Sequence, residues 1–144
     1  MILSDLIDDA TKAGDIAGAF QILLATRTVD SEELEPGRVE LSDIGLLQID
    51  ASAQEVDILP TSFLKSSDRC LTVADVRAKL VETPEIADFT LAGVVGFKVL
   101  SDGGNAQKTN PIIGSYVPAE QGEIWLLLYP QSQWPSAWFT ELGA

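Results

Sequence analysis

Residues 124–129, Ile-Trp-Leu-Leu-Leu-Tyr, form the longest uninterrupted apolar run in the chain. The run is far shorter than the ~20 residues a membrane-spanning helix needs, and Pro130 stops it, so it reads as a strand. Side chains alternate across a strand. Ile124, Leu126 and Leu128 therefore fall on one face, and Trp125, Leu127 and Tyr129 on the other. A strand apolar on both faces is either covered on both sides or lies with one side against a partner. The fold must cover this strand twice or leave an aromatic face for another molecule.

The rest of the chain supplies helices at three places and strands in two groups. Leu3, Leu6, Ile7, Ala10 and Ala13 recur at helical spacing, with Asp5, Asp8, Asp9 and Lys12 on the opposite side. Ser4 or Asp5 is the expected cap, and Gly14 the stop. Asp15 reads as the cap of a second helix with Ile16, Ala19, Phe20, Leu23 and Leu24 on one face, although Thr26 to Val29 suits a strand. After the polar break Asp30–Gly37 the period changes to two, with expected strands at 39–42, 44–49 and 56–58 and a hairpin loop at 51–54. Thr72 and Asp75 form a capping box for a helix that buries Val73, Val76 and Leu80, and Pro84 opens a short turn. Three strands follow at 94–100, 112–117 and 124–129, the first pair joined by a loop over 101–111. Pro135 opens a last helical segment carrying Trp138, Phe139 and Leu142. No internal repeat or interdomain linker is visible.

Helices set apart from runs of strands predict an α+β fold. The expectation is one domain over 1–144, a single antiparallel or mixed sheet of five or six strands, with helices mainly on one face.

Charge and aromatic residues are distributed in opposite senses. The 144 residues include 22 acids and 9 bases, for a net charge of −13. Residues 1–60 hold 13 of the acids and 3 of the bases. In contrast, Tyr116, Trp125, Tyr129, Trp134, Trp138 and Phe139 crowd the last part of the chain. Such acidity argues against binding a nucleic-acid backbone, where Lys and Arg release counterions, and against anionic membranes. The amino-terminal residues lack the basic region of a signal peptide, so a cytoplasmic location or a place within an assembled particle is expected.

Catalytic motifs are scarce. The chain has no histidine, which removes His-based triads, general bases and metal sites. Cys70, the single cysteine, has no histidine to activate it and reads as a small buried thiol. Residues 30–40 are acidic but carry Glu35 where a calcium loop needs glycine. Lys108-Thr109 follows Gln107 where a phosphate-binding loop needs glycine. Gly93 to Gly96 has the GxxG form of a KH loop without basic neighbours. No cofactor, metal or catalytic residue is expected.

These features predict a non-catalytic protein–protein interaction subunit, a structural or adaptor component of a homo- or hetero-oligomeric assembly such as a virus-like particle. The aromatic patch Trp125, Tyr129, Trp134, Trp138 and Phe139 is the expected contact, since Trp and Tyr are enriched at interface anchors. The alternative is an acidic inhibitor or immunity protein that covers a basic partner with Glu40, Glu55 and Asp57 on an exposed strand face. The element order and low pI also resemble small acidic secretion chaperones, a likeness of composition and order without a motif. A small carboxylate-based enzyme ranks third.

Overall fold

The computed structural model describes residues 1–27, 39–63, 71–118, 122–129 and 134. Helix α1 (Leu3–Lys12) is followed by strands β1 (Gln21–Arg27), β2 (Val39–Asp50) and β3 (Glu55–Pro60). Helix α2 (Val73–Glu82) and a 3-10 turn (Pro84–Asp88) then lead into β4 (Thr90–Val99), β5 (Asn105–Tyr116) and β6 (Glu123–Leu128). The fold is α+β with one six-stranded mixed sheet, and that sheet closes on itself as a barrel in the order β1 to β6. Closure removes the edges that an open sheet leaves exposed.

The two faces of β6 are covered by different cores. Ile124, Leu126 and Leu128 point inward with Ile22, Leu24, Ile44, Val56, Ile58, Leu91 and Ile112. The helices do not lie on one face of an open sheet: Leu3, Leu6, Ala10, Val73 and Val76 belong to this same interior core. Outside the wall, Leu127 packs with Ala25 and Trp134 in a second cluster, joined by Val39, Ile113, Tyr116 and Trp125.

The barrel is an internal repeat that the sequence does not reveal. Both helices have ten residues, β2 and β5 have twelve, and β3 and β6 have six. Leu23 pairs with Asp43 as Ala92 pairs with Pro111. A bulge falls between Ile44 and Leu46 in one half and at the equivalent place, between Ile112 and Gly114, in the other. The parallel pairs β1–β6 and β3–β4 join the halves in matching register. Each helix start is also hydrogen-bonded to the first strand of the opposite half. Leu3 N–H donates to Phe89 O (2.9 Å) and Leu91 N–H to Met1 O (2.9 Å), while Val73 N–H donates to Phe20 O (3.0 Å) and Ile22 N–H to Leu71 O (2.9 Å). Equivalent residues are identical at Asp5 and Asp75, Phe20 and Phe89, Ile44 and Ile112, Glu55 and Glu123, and Leu59 and Leu127. No two of these pairs are adjacent, so nothing in the linear sequence registers as a repeat.

The capping box at Thr72 forms as expected, with Asp75 Oδ2 accepting from Thr72 N–H (2.9 Å) and Thr72 Oγ1 (3.3 Å). Its mate in α1 starts two residues before the expected Ser4: Ile2 is the N-cap, and Asp5 Oδ2 accepts the Ile2 N–H (2.9 Å).

Three expectations for local structure are corrected. The second helix is instead β1, preceded by a turn in which the buried Asp15 carboxylate accepts the Ala19 and Phe20 N–H groups (2.8 and 3.2 Å). Residues 39–50 form one long bulged strand where two were expected. Most of the expected 101–111 loop is β5, and the turn tightens to 100–104, closed by Leu100 N–H to Gly104 O (2.6 Å) and Gly104 N–H to Asp102 Oδ1 (2.9 Å). The break at 30–37, Cys70 and the final helix from Pro135 lie outside the described residues.

Candidate functional site

The repeat places two contrasting side-chain groups at equivalent positions on the outer wall. In the first half Asp57 stands opposite Gln48, with Glu55 two residues earlier on the same face of β3. In the second half Trp125 stands opposite Tyr116, with Glu123 in the place of Glu55. The backbone frame is shared, and only the chemistry differs.

On the aromatic side the rings largely serve the fold. Tyr116 and Trp125 meet edge to face with centroids 5.7 Å apart and planes at 62°, a favoured aromatic geometry. The Trp125 indole N–H donates to Glu123 Oε1 at 3.3 Å. Trp134 is buried, at 4 % exposure, and its N–H donates to the Leu128 carbonyl at 2.8 Å. Of the aromatic residues expected at a contact, Trp134 thus lies in the second core, Trp125 is half-buried, and Tyr129 is exposed. Trp138 and Phe139 lie outside the described residues.

On the acidic side the expected exposed trio separates. Glu40 is exposed and Glu55 half-buried, but Asp57 is 8 % exposed, which corrects the expectation of an open face. Its Oδ1 is fully buried and has no hydrogen-bond partner, and such an orphan calls for an explanation because buried polar groups are nearly always paired. Asp57 borders an open cavity of about 420 Å³ lined by Gln48, Ile49, Asp50, Ala51, Ser52 and Gln107. The first five of these residues belong to the end of β2 and its turn. Gln107 comes from β5, opposite Phe97, beyond a third bulge between Val94 and Gly96.

Electrostatics set Asp57 apart from its neighbours. Burial, a hydrogen bond with Glu55, and the charges of Glu55 and Asp50 together push the Asp57 carboxyl up to about 7. Asp50 moves the other way, lowered mainly by hydrogen bonds from Ser52 Oγ and the Ala53 N–H (2.8 and 3.1 Å). Burial also raises Asp9, but that carboxyl accepts a 2.7 Å hydrogen bond from Ser115. Asp57 is therefore the buried carboxylate with an oxygen left unmatched.

The β4–β5 hairpin, which contributes Gln107 to the cavity, also exposes apolar side chains. Phe97, Val99 and Leu100 are 50 %, 78 % and 40 % exposed. Tyr129 is exposed just past the end of β6, where its N–H donates to Pro111 O (2.9 Å). The sequence reading placed an apolar strand at 94–100 but named none of these residues as exposed.

Among the described residues no three His, Cys, Asp or Glu side chains are placed to hold a metal ion, and no helix is long and apolar enough to cross a membrane. Comparison with family models, characterised proteins and solved structures finds no match to the chain.

Proposed function

We propose that this chain is a non-catalytic protein-interaction subunit that docks a partner on the outer wall of its barrel. The observation that carries the reading is the exposed apolar hairpin at Phe97, Val99 and Leu100. Apolar residues grouped beside polar ones on an otherwise acidic surface mark interaction sites more often than chance exposure does. The Asp57 cavity beside the hairpin favours a related reading, in which the acidic half covers a basic surface as an inhibitor or chaperone does. In that arrangement apolar contact supplies affinity, and charge complementarity supplies on-rate and selectivity.

The double substitution Val99→Asp/Leu100→Asp tests this function. Both residues are exposed, so folding stability should change by less than about 1 kcal/mol, as surface substitutions usually do. The tagged wild-type chain, recovered from its native cells, should carry a stoichiometric companion, or sediment above its 15.5 kDa monomer mass. The variant should sediment as a bare monomer. Equal recovery of the same companion by both forms would refute the hairpin as a docking surface, as would a wild-type chain that remains a lone monomer.

A further inference from the structure

We infer that the Asp57 cavity receives the guanidinium group of an arginine carried by a protein partner, while the β4–β5 hairpin covers the residues beside that arginine. The inference rests on the docking reading above and names its anchor. The polar side chains converge: Asp57, Asp50, Gln48 and Gln107 line one cavity, and Asp57 Oδ1, buried behind that wall, has no hydrogen-bond partner. No ion pair reaches Asp57, Glu55 or Asp50 from the described residues, among which the ion pair formed is Lys79 with Glu82 at 3.8 Å. A cation that pairs with Asp57 therefore comes from outside the described residues.

The shape of the site selects the kind of cation. Among the described residues no three His, Cys, Asp or Glu side chains gather here as a metal cage does. An ammonium is a compact, strongly hydrated point charge, whereas a guanidinium presents five donors in a planar fork. A carboxylate that shares a cavity with a second carboxylate and two side-chain amides offers the several acceptors which that fork can bridge. The surroundings select a protein source. Gln107, on the cavity wall, pairs across the hairpin with the exposed Phe97, so the hairpin carries both a cavity residue and an apolar neighbour. An arginine flanked by apolar residues fits both parts, and Arg is enriched at interface hot spots.

Charge on Asp57 should govern binding. The charged groups that face it are Glu55 on its own strand and Asp50 on β2. β4 places the uncharged Ala92 opposite it, and β5 contributes Gln107. Below pH 7 the carboxyl gains a proton and loses its attraction for a cation. Cation binding near pH 7 should release that proton.

Calorimetric titration of the full chain tests the inference, with N-acetyl-L-argininamide, N-acetyl-L-lysinamide and the neutral isostere N-acetyl-L-citrullinamide as probes. At pH 8 the arginine probe should bind one site at least about tenfold more tightly than the lysine probe, and the citrulline probe should not bind. Its affinity should fall about tenfold or more at pH 5.5. Asp57→Asn, which keeps the side-chain shape, should abolish binding; Gln107→Leu, on the opposite wall, should weaken it in a chain whose Asp57 is intact. An acetyl-Leu-Arg-Leu-amide peptide should bind more tightly than the single arginine probe, and Val99→Asp/Leu100→Asp should cancel that gain.

Equal binding of the citrulline probe, or unchanged binding by Asp57→Asn, would overturn the inference. Absence of binding by the arginine probe and the peptide alike would do the same. In each case the loss of the native companion from the hairpin variant would still stand as evidence for docking. Tight arginine binding with no gain from the peptide would assign the cavity to a free small guanidinium compound and overturn the protein source.

Discussion

Gly18→Ala is expected to destabilise the chain by about 3 kcal/mol, enough to lower its melting temperature by roughly 10 °C in a thermal unfolding scan. Gly18 sits in the turn between α1 and β1 with φ at +75°, where a side chain is strained by about 1–2 kcal/mol. A Cβ there would also lie 2.8 Å from the Ala74 nitrogen and 2.9 Å from its Cα. Those atoms are backbone in the first turn of α2, held by the Ala74 N–H bond to Gly18 O at 2.8 Å. The turn has little freedom to move away, because Arg77 donates to Ile16 O (2.9 Å), Asp15 O (3.2 Å) and Thr11 Oγ1 (3.1 Å). A loss below about 1 kcal/mol would mean that this junction of the two halves is looser than the structure shows.

The second large effect lies at the centre of the barrel. Gly93 and Leu24 occupy equivalent places in the two repeats, and each points inward. A Cβ on Gly93 would meet Leu128 Cδ2 at 2.8 Å and Leu24 Cδ1 at 3.0 Å. One large and one small residue thus share a space that cannot hold two leucines. Gly93→Ala should cost about 1–3 kcal/mol by overpacking, and Gly93→Leu more than about 3 kcal/mol. Adding Leu24→Gly to Gly93→Leu exchanges the roles of the two halves. The double variant should be more stable than Gly93→Leu alone by at least about 1 kcal/mol in urea unfolding, although leucine removal from a core is ordinarily destabilising. Additive losses would show that Leu24 and Gly93 do not share this space.

Much of the fold was legible in the sequence, and the failures have physical causes. α1, α2, the 51–54 hairpin, the Pro84 turn and β6 could be read from periodicity and caps. Residues 21–25 were misread as helix because Ile22, Leu23, Leu24 and Ala25 are all buried, so no alternation marks the strand. Asp15 was a true cap signal, but it caps a turn. β5 was partly missed because Gln107, Lys108, Thr109 and Asn110 are polar and Pro111 ordinarily argues against a strand interior. Barrel closure and the repeat depend on pairing between distant segments, which composition does not encode.

The site was legible only in outline. Period two placed Glu55 and Asp57 on one face of their strand, and both lie within β3 two residues apart. Whether a face is open depends on what folds over it, and that decided the outcome for both Asp57 and Trp134. The correspondence of Asp57 with Trp125 follows from the register of the repeat and from nothing in either residue's neighbours.

The central claim is that the Asp57 carboxylate is kept for a partner and does not serve the stability of the isolated chain. Its folded-state pKa, about 7, lies above its usual value, so the native state holds a proton that the unfolded chain gives up. Stability from this group is therefore intact below about pH 4, falls as pH rises towards 7, and stays reduced above it. Asparagine keeps the shape without the charge. Urea unfolding of Asp57→Asn against wild type at pH 8 is the direct measurement. The account predicts a higher midpoint for the variant, with the difference vanishing near pH 4. A lower midpoint at pH 8 would show that the charged carboxylate stabilises the fold, and would contradict the account.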